Sequence, residues 1–84
     1  MESNSIEVVF YIHKREKKYN LEIPVSITIN ELVFALNQSF DLGINTEQIT
    51  NCYLKAENPI VLLKGNKSVM DFGLRNGSII NFTL

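Results

Sequence analysis

The sequence is poor in the residues on which most site chemistry depends. Its 84 residues hold no tryptophan, one cysteine, one histidine and two prolines. A single thiol, Cys52, can neither close an internal disulfide nor ligate an iron–sulfur cluster alone. One histidine and scattered carboxylates give no metal-ligand spacing. The four glycines stand alone at turn positions, so no glycine-rich loop can cradle a phosphate. No pair of carboxylates is set in an apolar surround. Charge of one sign is lacking too: eight Lys and Arg against nine Asp and Glu leave a net charge of -1. That is no electrostatic footprint for nucleic acid. Apolar stretches such as Ile60–Leu63 are far too short to span a membrane, which excludes membrane insertion by a helix. Met1–Ser5 is short and polar, predicting no secretory signal, and the single cysteine suits a reducing, cytoplasmic compartment. With no catalytic residues, no cofactor site and no metal site, the expectation is a protein that is not an enzyme.

What is present is an ordinary globular composition, 45% hydrophobic and 20% charged, enough for one domain over 1–84, with 1–5 read as a flexible N-terminus. Ile6, Val8, Phe10 and Ile12 alternate with Glu7, Val9 and Tyr11, the period-two signature of a strand. The charged break His13–Lys17 follows. Tyr19, Leu21 and Ile23 then alternate with Lys18, Asn20 and Glu22, making an N-terminal hairpin that Pro24 ends.

The sharpest local signal is Thr28-Ile29-Asn30-Glu31, a capping box in which Thr28 and Glu31 satisfy each other's backbone N–H groups. Ile29, Leu32, Val33, Leu36 and Phe40 recur at helical spacing on one face, with Asn30, Asn37, Gln38 and Asp41 opposite. Gly43 is placed as a left-handed terminator, so the spacing predicts a helix from about 29 to about 41. After a polar, turn-like Ile44–Thr50, the pattern predicts a short strand through Cys52 and Leu54 and a turn at Glu57-Asn58-Pro59. An apolar strand at Ile60–Leu63 follows, then a helical turn at Ser68–Phe72 closed by Gly73 and braced by Asp71. Asn76-Gly77 marks a turn before a last strand in which Ile80 and Phe82 alternate with Asn81 and Thr83. Strand, strand, helix, strand, strand, turn, strand argues for an α+β domain, one helix laid on one sheet.

This order is that of the β-grasp fold, and the details resemble ubiquitin over nearly the whole chain: a mixed sheet of four to five strands packed on one main helix. The stretch Asp71-Phe72-Gly73-Leu74-Arg75-Asn76-Gly77-Ser78 resembles the D-x-G-I-x-N-G-D run of the YukD/EsaB group. These are small ubiquitin-like proteins associated with type VII secretion systems of Gram-positive bacteria. The departures are Leu74 for isoleucine and Ser78 for the acidic residue. The resemblance implies a non-conjugated, cytosolic interaction module, accessory to or regulating such a system, whose partner is another protein such as a cytosolic part of the secretion apparatus. The alternative is a ubiquitin-like modifier or sulfur carrier. That reading needs a C-terminal Gly-Gly, and none occurs anywhere in the 84 residues; Phe82-Thr83-Leu84 is expected to end the chain inside the last strand.

Candidate site residues follow from the pattern. His13 reads as a solvated hairpin residue and Cys52 as an inward-facing core thiol. Lys14, Arg15, Lys17 and Lys18 concentrate positive charge at the hairpin tip, where they guard an edge from pairing or meet an acidic partner or phospholipid headgroup. The positions matching ubiquitin's apolar sheet patch are Tyr53, Lys55, Asn81 and Thr83, largely polar, so ubiquitin receptors are not expected to recognise this face. Val9 and Tyr11 point outward beside Tyr53, giving a partly aromatic candidate protein-binding surface. Phe34 lies off the core stripe of the helix, to be covered by a loop or to serve as a partner or self-association contact. The expected state is a monomer or weak homo-oligomer.

Overall fold

The computed structural model describes residues 4–45, 47, 48 and 52–83. Strands β1 (Ser5–Ile12) and β2 (Lys17–Pro24) form an antiparallel hairpin across a 3-10 turn, His13–Arg15. Helix α1 (Ile29–Phe40) follows, then β3 (Leu54–Glu57), β4 (Val61–Leu63), a further 3-10 turn (Met70–Phe72) and β5 (Ile79–Phe82). The sheet order is β2-β1-β5-β3-β4. β1 and β5 run parallel at the centre, and every other pairing is antiparallel. A parallel central pair needs a long crossover between its strands, and α1 lies within that crossover. This is the ubiquitin-like β-grasp architecture.

Periodicity explains the core. Val8, Phe10 and Ile12 from β1 and Ile80 and Phe82 from β5 turn to one face and are buried there with Ile29, Leu32, Val33 and Leu36 of α1. The Phe10 ring lies 5.3 Å from that of Phe40, tilted by 53°, an arrangement suited to aromatic quadrupoles.

The capping box forms as expected: Glu31 N donates to Thr28 Oγ1 at 3.1 Å and Thr28 N to Glu31 Oε1 at 2.9 Å. Ser68 and Asp71 make the same reciprocal pair around the Met70–Phe72 turn, at 3.1 and 3.2 Å. Gly73 closes that turn in the left-handed region.

Several boundaries differ from the expectation. The helix ends at the expected place, about residue 41, but the left-handed residue that closes it is Asp41, at φ 52°, rather than Gly43; a short polar side chain tolerates it. Asn37 holds the chain that leaves the helix. Placed opposite the core stripe, its amide clasps the backbone of Ile44, donating to the carbonyl at 3.0 Å and accepting from the N–H at 2.9 Å. β3 begins at Leu54 rather than Cys52 and runs on through Glu57, which pairs with Ile79; the turn starts at Asn58. Ser5 already belongs to β1, and the Asn4 carbonyl accepts from Val25 N at 2.8 Å. Residues 46, 49 and 50 of the polar stretch after the helix, residues 1–3 and Leu84 lie outside the described residues.

Arg15 is tied to the helix end. Its guanidinium donates to the Phe40 carbonyl at 2.6 Å and the Asp41 carbonyl at 2.5 Å, filling orphan acceptors at the negative end of the helix dipole. Arg15→Ala is expected to cost about 1 kcal/mol, a charge-assisted pair discounted for exposure. Thermal denaturation should show a fall of about 4–8 °C. Arg15→Lys should not restore it, since one ammonium cannot reproduce the two-pronged fork. An unchanged midpoint in Arg15→Ala would show the contact to be idle.

Candidate interaction surface

The sheet has one face under α1 and one face open. Strand register places the open-face side chains in rows. One row runs Lys18, Tyr11, Asn81, Lys55, Leu62 across all five strands. The next runs Asn20, Val9, Ile79, Glu57.

A polar chain anchors the middle of this face. The His13 ring stacks on Tyr11, centroids 3.9 Å apart and planes at 27°. Its Nε2 lies 2.7 Å from Asn81 Oδ1. The Asn81 amide group donates to the Lys55 carbonyl at 3.0 Å and to Glu57 Oε2 at 2.9 Å. With both amide protons so directed, Oδ1 is left to accept, which assigns the hydrogen to His13 Nε2. Asn81 is 6% exposed: an expected outward polar residue is instead buried, and tolerated because its groups are all bonded. His13, expected to be solvated, has an exposed side chain that is nonetheless fixed at two points. Lys18 adds its ammonium 5.0 Å from the Tyr11 centroid, a cation–π contact.

Tyr11 and Tyr53 do not form one aromatic surface. Strand β5 stands between β1 and β3, and the His13–Asn81 pair occupies the middle. Tyr53 is half-buried, with the Lys55 ammonium 6.0 Å from its ring. Val9 is likewise half-buried, flanked by Asn20 and Ile79.

Two exposed apolar residues outside the expected surface stand at the far edge of the sheet. Ile60 is 91% exposed and Leu62 52% exposed. Ile60 lines a shallow hollow with His13, Lys55, Glu57, Asn81 and Thr83. The apolar run predicts a strand over Ile60–Leu63, but β4 starts at Val61 and Leu62 faces outward opposite Lys55. The available signal was alternation: Lys55 is polar and outward, so its partner must be outward too.

The four basic residues do not make one patch. Lys18 lies on the open face. Arg15 caps α1. Lys14 reaches over the Phe82 ring, its ammonium 5.7 Å from the centroid. Lys17 pairs with buried Ile12 and shares its helix-side parity. Phe34 is 42% exposed and lines an open hollow on the flank of the helix with Pro24, Ile27, Asn30, Glu31 and Ala35.

Cys52 is 6% exposed within the core cluster. Burial pushes its thiol up, and a backbone hydrogen bond at Tyr53 offsets this only in part. The reactive thiolate is therefore scarce at neutral pH. Alkylation in the folded protein should be at least about tenfold slower than in urea, because reaction must wait for local opening; equal rates would contradict the burial. Among the described residues no three His, Cys, Asp or Glu side chains gather as a metal site, and no helix is long and apolar enough to cross a membrane.

Comparison with known proteins adds a family. A family model described as "WXG100 protein secretion system (Wss), protein YukD" matches residues 7–81. No curated protein sequence matches the chain. Solved structures share the fold at low identity. The ubiquitin-like domain of yeast Ddi1 is 14% identical with a TM-score of 0.68, covering 96% of this chain and 90% of that one. The ubiquitin-like domain of Plasmodium falciparum Dsk2 is 18% identical with a TM-score of 0.60, covering 94% and 99%. A designed protein based on ubiquitin is 15% identical with a TM-score of 0.70, covering 98% and 90%.

Proposed function

The chain belongs to the YukD family, and from that premise we propose that it is a non-conjugated ubiquitin-like interaction module. In this reading it works in the cytosol as an accessory or regulatory component of a type VII secretion system. It docks through the open face of its sheet onto a cytosolic part of the apparatus. The observation that carries the docking face is the exposure of Ile60 and Leu62 around a side-chain centre already fixed by His13 and Asn81. Apolar and aromatic groups around a preorganised polar centre suit a protein partner, since little side-chain freedom is lost on binding. Tyr11 and Tyr53 flank that centre on either side, and Lys18 lies over Tyr11. The residues that would act as a catalytic unit are not brought together: His13 is spent on Tyr11 and Asn81, and Cys52 is in the core.

The test is capture. The domain is immobilised, exposed to detergent-solubilised membranes of the source organism, and the retained proteins are identified by mass spectrometry. Enrichment of a secretion ATPase or membrane component is the expected result. Retention of unrelated cytosolic proteins alone would remove the secretion role. Tyr11→Ala with Tyr53→Ala should abolish capture with little change in melting temperature; undiminished capture would remove the open face as the docking site. In this reading incubation with ATP and lysate should give no higher-mass adduct, and a covalent ladder would overturn it.

A further inference from the structure

We propose that the chain pairs with a second copy of itself through the free edge of β2, about a two-fold axis at Asn20. This inference does not rest on the docking role above: it uses the backbone edge of β2, whose Lys18 and Asn20 side chains border the open face.

β2 is an edge strand, bonded to β1 along its length and to no other described strand. Which of its backbone groups are free follows from the ladder. Val25 N donates to the Asn4 carbonyl, so odd-numbered residues of this strand aim their N–H and C=O at β1. The other side of β1 agrees. Val9 N donates to Ser78 O and Glu7 O accepts from Gly77 N, so the even residues of β1 face β2. The backbone groups of Lys18, Asn20 and Glu22 therefore point out of the sheet edge. Pro24 falls on the same outward parity, where its missing N–H removes no ladder bond.

The outward groups are spaced to pair with themselves. In an antiparallel copy centred on Asn20, Asn20 faces Asn20 of the other copy, Lys18 faces Glu22, and Glu22 faces Lys18. These three are the positions whose backbone groups are free, so each facing pair exchanges both of its main-chain hydrogen bonds. The same register sets two opposite charges directly across from each other, twice over, the stabilising arrangement for cross-strand pairs. Moving the axis two residues either way sets Lys18 against its own copy or Glu22 against its own, both repulsive. All three side chains are exposed.

The helix side of the edge is complementary as well. There Tyr19 would face Leu21 of the second copy. Tyr19 is 36% exposed although its ring contacts Phe40 at 4.7 Å. An apolar groove beside the strand, lined by Leu21, Ile23, Ile27, Leu32, Ala35 and Leu36, would be roofed by the partner. A two-fold axis normal to the sheet keeps both helices on one side and both open faces on the other, a closed isologous pair.

Sedimentation equilibrium on the full chain tests this. A reversible dimer is expected up to millimolar concentration, weakening as salt is raised because exposed charges are screened. Lys18→Glu and Glu22→Lys should each raise the dissociation constant at least about tenfold by creating two like-charge contacts. The double variant, which exchanges the charges, should return within a few-fold of the original. Circular dichroism melts confirm that each variant folds. A chain that stays monomeric overturns the proposal. So does a dimer that both single reversals leave intact, or one that the double variant fails to rescue.

Discussion

Phe10→Ala should remove about 3–5 kcal/mol of stability and lower the melting temperature by more than about 15 °C. Phe10 is fully buried on the inner strand β1, paired with Tyr19 on one side and Ile80 on the other. Its ring meets Phe40 near the end of α1, so truncation opens a void where the sheet meets the helix. A domain of this length holds a net stability of roughly 4–13 kcal/mol at about 0.05–0.15 kcal/mol per residue. One cavity therefore consumes a large share of the margin. Phe34→Ala provides the contrast: at 42% exposed its loss should cost no more than about 1 kcal/mol. Urea denaturation of both variants decides the matter. A cost below about 1 kcal/mol for Phe10→Ala would mean that the β1–α1 contact is not the centre of the core.

Ile60→Asp combined with Leu62→Asp should weaken partner capture at least about 100-fold while leaving the fold within about 1 kcal/mol. Each side chain buried at an interface contributes about 1.5–3 kcal/mol of apolar transfer. An aspartate there both forfeits that and places a charge in a contact that excludes water. The two residues are largely exposed, so the isolated domain has little to lose. A helix-flank change such as Phe34→Ala should leave capture unchanged. Binding by biolayer interferometry with the retained partner, alongside a thermal melt, separates loss of contact from loss of fold. Full capture by the double variant would move the docking site off this edge of the sheet.

The fold was legible where one periodicity dominated. The β1 alternation, the α1 stripe and the Thr28–Glu31 box each specified an element locally, and the structure has all three. The sequence was less informative where neighbours distant in the chain decide. Four apolar residues at Ile60–Leu63 carry no visible alternation, so only pairing with β3 shows that Leu62 faces out. The helix end depends on Asn37 reaching Ile44 and on Arg15 arriving from 25 residues earlier, contacts that no local window contains. His13 and Asn81 are 68 residues apart, which is why one was read as solvated and the other as merely polar. Ser78, a departure from the acidic residue of the resembled motif, is fully buried. It accepts from Arg75 N at 3.0 Å and donates to the Asn58 carbonyl at 2.5 Å. A carboxylate could not make that donation, so the local difference is matched to a loop that the motif itself does not include.

Amide chemical shifts of the labelled chain, recorded while its captured partner is titrated in, test the docking account most directly. The account predicts that perturbations cluster on the open face, at Tyr11, Tyr53, Lys55, Ile60 and Leu62, with α1 silent. Perturbations confined to α1 and the groove beside β2 would contradict it.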